Sequence, residues 1–152
     1  MPWSNYQMRR ILFEKGILNK YFPNRVSWIS PNNETKVEVK MTSNSNRNYV
    51  LRITLTQDFP NACPDLLVIS PQRLPQRDGS ALPYNSQEFH TLSNPRGLVS
   101  ICHHLMDEWT SENTMYQVFM KGRLWIEAYE GHLATGRNVD YYLRHMQPNP
   151  RT

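Results

Sequence analysis

The stretch GLVSICHHLMDEW, residues 97–109, sets a cysteine between a strand-like apolar run and two adjacent histidines. Three chemistries are open to Cys102. A free cysteine often serves as a small buried hydrophobe. As a thiolate it ligates zinc, or it acts as a nucleophile when a neighbouring base takes its proton. Zinc is the weakest of these on spacing, because structural sites usually separate their ligands so that the side chains converge. Cys102, His103 and His104 are consecutive, and His90, His132 and His145 would complete a set only if the fold carried them in. No metal is therefore expected.

A polar His-His pair directly after Cys102, and a long loop before it, argue against simple burial. A free thiol titrates near ~8.5 and is mostly protonated at neutral pH, so a nearby base helps. Histidine is the side chain whose titration lies closest to neutrality. In an extended segment successive side chains point to opposite sides. His104 then shares the side of Cys102 and is favoured over His103 as its helper. Asp107, Glu108 or a histidine could assist deprotonation of an attacking amine. The other cysteine, Cys63, lies in the turn-like NACP segment and reads as structural.

The elements that must position these residues can be read from periodicity. Ser4 with Gln7 has the form of a capping box and opens a helix, with Met8, Ile11, Leu12, Leu18, Tyr21 and Phe22 near helical spacing up to Pro23. Four strand signals follow. RVSWIS ends at Pro31-Asn32-Asn33; KVEVKM puts Val37, Val39 and Met41 on one face; YVLRITLT puts Tyr49, Leu51, Ile53 and Leu55 on one face; LLVIS is wholly apolar before Pro71. Short turns between them imply an antiparallel meander with a helix over its apolar face. Residues 71–96, rich in proline, read as a long functional loop leading to the cysteine.

A long second helix is expected after Trp109, capped by Thr110 or Ser111, striped by Met115, Val118, Phe119, Trp125, Ile126, Tyr129 and Leu133, and stopped at Gly136. VDYYLRHM forms a last short helix. Trp125 and Tyr129, at helical spacing, are assigned to the core. Glu130 has no clear place in this pattern, and it could orient a local histidine or the backbone. The whole chain of 152 residues is expected to be one α+β domain.

Composition excludes several classes. The net charge is +4, with Arg9, Arg10, Lys15, Lys20 and Arg25 clustered early, but no basic stripe interleaved with aromatics marks a nucleic-acid surface. There is no apolar run of about eighteen residues and no apolar leader at the start, so no membrane span is expected. The two cysteines are expected to be reduced and the protein cytoplasmic. No glycine-rich nucleotide-binding motif is present, so no cofactor is expected and the chain does not adenylate a carboxyl terminus by itself.

The order of these elements, together with three local patterns, resembles the ubiquitin-conjugating enzyme fold. DFPNACP, Asp58 to Pro64, is similar to the family's D-F/Y-P-x-x-x-P turn between its third and fourth strands. GLVSIC followed by Trp109 is similar to the family's G-x-I-C with a tryptophan downstream. LWIEAYEGHLATG resembles the helix ending W-x-x-x-Y-E-x-W-x-x-T-G of a bacterial branch, with His132 in place of the second tryptophan. That branch is typical of bacterial anti-phage signalling (CBASS) operons. Asn94 stands at the spacing of the asparagine in the eukaryotic His-Pro-Asn triplet, but Leu92 and Ser93 replace its histidine and proline.

The resemblance implies that Cys102 accepts the C-terminal carbonyl of a donor protein as a thioester and passes it to an amine, as a transferase. The donor would be a ubiquitin-like protein or a nucleotidyltransferase resembling cGAS, delivered by a separate activating enzyme or activated in another way. It also implies an oxyanion or positioning role for Asn94. The runner-up is a catalytically inactive module of the same fold that recognises a partner protein. A Cys-His hydrolase is a third reading, for which no third orienting residue is evident in the sequence.

Overall fold

The computed structural model describes residues 2–30, 34–103 and 108–146. Helix α1 runs Asn5–Tyr21, α2 Met115–Thr135 and α3 Val139–Met146; strands β1–β6 run Val26–Ile29, Lys36–Thr42, Asn48–Thr54, Leu66–Ser70, Thr91–Leu92 and Val99–Ile101. The expected α+β character holds, but the expected four-stranded meander is six-stranded, in the order β1-β2-β3-β4-β6-β5, with every pairing antiparallel. The two additional strands come from the segment read as loop and from GLVSIC. They pair as a short hairpin, Thr91 opposite Ile101 and Leu92 opposite Ser100, which joins the sheet through β4. Among the described residues, no helix is long and apolar enough to cross a membrane.

Alternation explains the central strands. Val37, Val39 and Met41 of β2 lie opposite Ile53, Leu51 and Tyr49 of β3, and all are buried. Burying such aliphatic side chains contributes about 1.5–3 kcal/mol each. Their shared face is covered by α2, whose Val118, Phe119, Trp125, Ile126 and Tyr129 are buried. Gly122 lets the helix approach closely, because a Cβ there would sit 2.6 Å from Leu51 Cδ1 and 2.8 Å from Leu66 Cδ2.

Helix α1 begins as expected, with Ser4 and Gln7 forming a reciprocal capping box. Its buried face differs from the expected apolar stripe. Ile11, Glu14 and Leu18 face inward, while Met8, Leu12 and Tyr21 are exposed. The reason is a polar anchor. Glu14 is buried and accepts the Met115 N–H at 2.8 Å, satisfying one of the orphan donors at the start of α2. Arg10 donates to the carbonyls of Ser111 and Asn113. Helix α2 is capped by Thr114, in a box with Gln117, rather than by Thr110 or Ser111, and it stops at Gly136 in the left-handed conformation.

Burial raises the Glu14 pKa above 4.5, outweighing the Met115 N–H and the nearby Arg10, which act to lower it. A carboxyl raised in the fold stabilises most below its unfolded pKa and loses that contribution as pH rises through the folded value. Glu14→Ala leaves the Met115 N–H unpaired and is expected to cost about 1–3 kcal/mol in urea denaturation at neutral pH. Glu14→Gln keeps an acceptor without the buried charge; it is expected to stay within about 1 kcal/mol of wild type and to remove the Glu14 part of the stability slope above pH 4.5.

Candidate active site

Cys102 follows β6 directly, and its N–H donates to the His90 carbonyl at 2.8 Å. This continues the β5–β6 register by one pair beyond Thr91–Ile101, so Cys102 and His90 are cross-strand neighbours. Cys102 is partly exposed and lines a cleft of about 540 Å³ together with Ser86, Glu88, His90, Asp140 and Arg144.

The wall carrying His90 is a tight turn. Ser86 and Thr91 exchange backbone hydrogen bonds at 3.1 and 3.0 Å, which closes the turn. His90 adopts φ +52° within it, a left-handed conformation in which histidine is enriched over most residues other than glycine. Trp125 of α2 fixes the preceding residue by donating Nε1–H to the Phe89 carbonyl at 2.8 Å. Helix α3 closes the other side, where the Asp140 N–H donates to the Glu88 carbonyl at 2.8 Å.

The carboxylate of Asp140 meets the His90 ring, with Nε2 to Oδ1 at 2.7 Å, and its Oδ2 pairs with Arg144 Nε at 2.8 Å. A carboxylate accepts only, so Nε2 carries the shared proton and the basic lone pair of the neutral ring lies on Nδ1. The hydrogen bond from His90 and the Arg144 charge hold the Asp140 carboxyl below its ordinary value of 3.8 against a smaller opposing effect of burial. Its ionised form therefore stabilises the docking of α3 above about pH 4, and this contribution is lost as pH falls further.

The residues expected at the site fall in different places. His103 turns away from the cleft, as alternation along an extended segment requires. It is buried, its Nε2 donates to the Pro64 carbonyl at 3.0 Å, and it lies 3.7 Å from Cys63 Sγ. His104, the favoured helper, and Asp107 lie outside the described residues. Asn94 occupies the β5–β6 turn, where its Oδ1 accepts from Arg96 N at 2.9 Å and its carbonyl accepts from Gly97 N at 3.1 Å. Cys102 lies past the far end of β6, and at about 3.3 Å per residue the three-residue strand separates the two ends by roughly 10 Å. The structure thus sets Cys102, His90 and Asp140 around one cleft, and Asn94 is not among the residues lining it.

Trp109 is tied to the DFPNACP turn, since its Nε1 donates to the Pro60 carbonyl at 3.0 Å. Cys63 lies in that turn. Burial and the neighbouring Asp65 push its thiol up to about 11, so it stays protonated at neutral pH and is a poor nucleophile. Glu130 accepts from the Ser45 and Tyr49 hydroxyls, both at 2.6 Å, and among the described residues no histidine or backbone group bonds its carboxylate. Among the described residues, no three His, Cys, Asp or Glu side chains converge as a metal site would require.

His90 and Asp140 were not evident as site residues. His90 could have been found by reading TLSNPRGLVSI as a hairpin, since that register sets residue 90 opposite residue 102. Asp140 carries no local signal, because its place depends on how α3 docks. In comparisons with known proteins, the chain matches no family model, no curated protein and no solved structure.

Proposed function

We propose that the protein is a cysteine-dependent acyltransferase of the ubiquitin-conjugating kind, with Cys102 as the residue that holds the acyl group. The observation carrying this reading is the contrast between its two thiols. Cys102 opens onto a cleft beside a histidine–carboxylate pair, whereas Cys63 is held protonated against Pro64. The donor would be the C-terminus of a second protein, a ubiquitin-like protein or a cGAS-like nucleotidyltransferase of an anti-phage system. It would arrive as a thioester on a separate activating enzyme and leave to an amine. The tetrahedral oxyanion would need hydrogen-bond donors, and losing one such donor costs about 3–4 kcal/mol where a side-chain amide has been removed.

A second reading, a Cys-His hydrolase, gains from Asp140, which supplies the orienting third residue that such enzymes use. Both readings pass through an acyl group on Cys102 and differ in whether an amine or water takes it. Incubation with the candidate donor, an activating enzyme and ATP is expected to give an adduct that thiol reductant removes. No adduct, or one that resists reductant in the wild type, contradicts the transferase reading.

A further inference from the structure

We propose that His90 is the base that takes the Cys102 thiol proton, and that Asp140 is the positioning residue that holds its ring. The inference rests on the reading of Cys102 as the acyl-accepting thiol. Its ground is geometric: the two residues are cross-strand neighbours joined by the 2.8 Å backbone hydrogen bond, they line one cleft, and the His90 ring is held at 2.7 Å by a carboxylate from another element. Because Nε2 is committed to Asp140, proton acceptance falls to Nδ1.

In the reaction the S–H bond breaks and its proton moves to His90 Nδ1. The sulfur electron pair forms the C–S bond to the donor's carbonyl carbon. The thiolate of the activating enzyme leaves and takes the proton from His90, which returns the ring to neutrality. Asp140 remains ionised throughout and stabilises the transient imidazolium, as a buried carboxylate does for the histidine of a catalytic triad. Among the described residues, the charged or titratable groups around His90 are Glu88 from its own turn, Cys102 after β6, and Asp140 and Arg144 from α3. Helix α3 is thereby part of the active site.

Alkylation of Cys102 by iodoacetamide tests this without any donor protein. In a Cys63→Ser background Cys102 is the single thiol of the chain. The substitution for His90 is Asn, which tolerates the left-handed backbone at that position. His90→Asn is expected to slow alkylation at least about ten-fold near pH 6.5, where a thiol needs help, and to leave it within about two-fold near pH 9, where it does not. Asp140→Asn should follow the same pattern to a smaller extent.

Equal rates for His90→Asn and wild type near pH 6.5 overturn the proposal. So does a slowing that is the same at both pH values, which reports altered access rather than proton transfer. Failure here is separable from failure of the transferase reading. A reductant-labile adduct with no dependence of alkylation on His90 removes only the base. A dependence on His90 with no adduct removes only the transferase.

Discussion

Replacing Cys102 by serine is expected to convert the reductant-labile adduct into one that resists reductant, or to abolish it, and Cys102→Ala should abolish it outright. The labile adduct at this position should be lost completely, because a reductant-labile thioester requires the sulfur. A serine hydroxyl is a far weaker nucleophile than a thiol near neutral pH, but once acylated it holds the group as an oxyester that thiols do not exchange. Cys63→Ser is expected to leave the adduct within about two-fold, since Cys63 takes no part in such chemistry while its thiol is held up to about 11. Paired reducing and non-reducing gels of the three variants check this. Labile adduct in Cys102→Ala would move the chemistry to another residue.

The second large effect is on the scaffold. Trp125→Ala is expected to cost about 3–5 kcal/mol, the range for truncating a buried aromatic to alanine. Trp125 is 1% exposed, stacks on Tyr129 with ring centroids 5.4 Å apart, and donates to the Phe89 carbonyl. A domain whose total stability is of the order of 5–15 kcal/mol would be left marginal. Trp125→Phe separates the two contributions. It keeps much of the apolar volume and drops the hydrogen bond, so about 1–3 kcal/mol is expected for the Phe89 carbonyl left unpaired. Because that carbonyl belongs to the residue before His90, Trp125→Phe should also weaken hydrogen-exchange protection in the Ser86–Thr91 turn. Urea denaturation gives the first quantity and amide exchange the second. A Trp125→Ala loss below about 1 kcal/mol would contradict the packing described.

What could be read in advance follows from the length of each signal. Strands β2 and β3 are seven residues each, long enough for alternation to show, and both buried faces were evident from Val37 to Leu55. The capping box at Ser4 and the stop at Gly136 depend on local chemistry and were also legible. Strand β5, with two residues, is too short to display a period, so residues 71–96 read as loop, and the three residues of β6, although legible as a strand-like run, carry no sign of their partner. In α1 the inward position at Glu14 is polar, which made the outward-facing Met8, Leu12 and Tyr21 look like the core stripe.

The site divides in the same way. Cys102 announced itself by its neighbours, and the opposite orientation of His103 followed from strand geometry alone. His90 depends on hairpin register, and Asp140 depends on the docking of a helix that begins after the αL stop at Gly136. Both are tertiary facts that a linear pattern does not encode. Asn94 shows the converse, in that its position along the chain suggested a site residue, while its carboxamide is used within its own turn.

The most direct test of the central claim is peptide-level mass spectrometry of the adduct formed with donor, activating enzyme and ATP under mild acid without reductant. The account predicts the donor's C-terminal residue joined to the peptide containing Cys102, with a mass equal to the two components less one water, and release of that mass by reductant. Attachment at Cys63 or at a lysine before any acceptor is added, or no attachment at all, would contradict it.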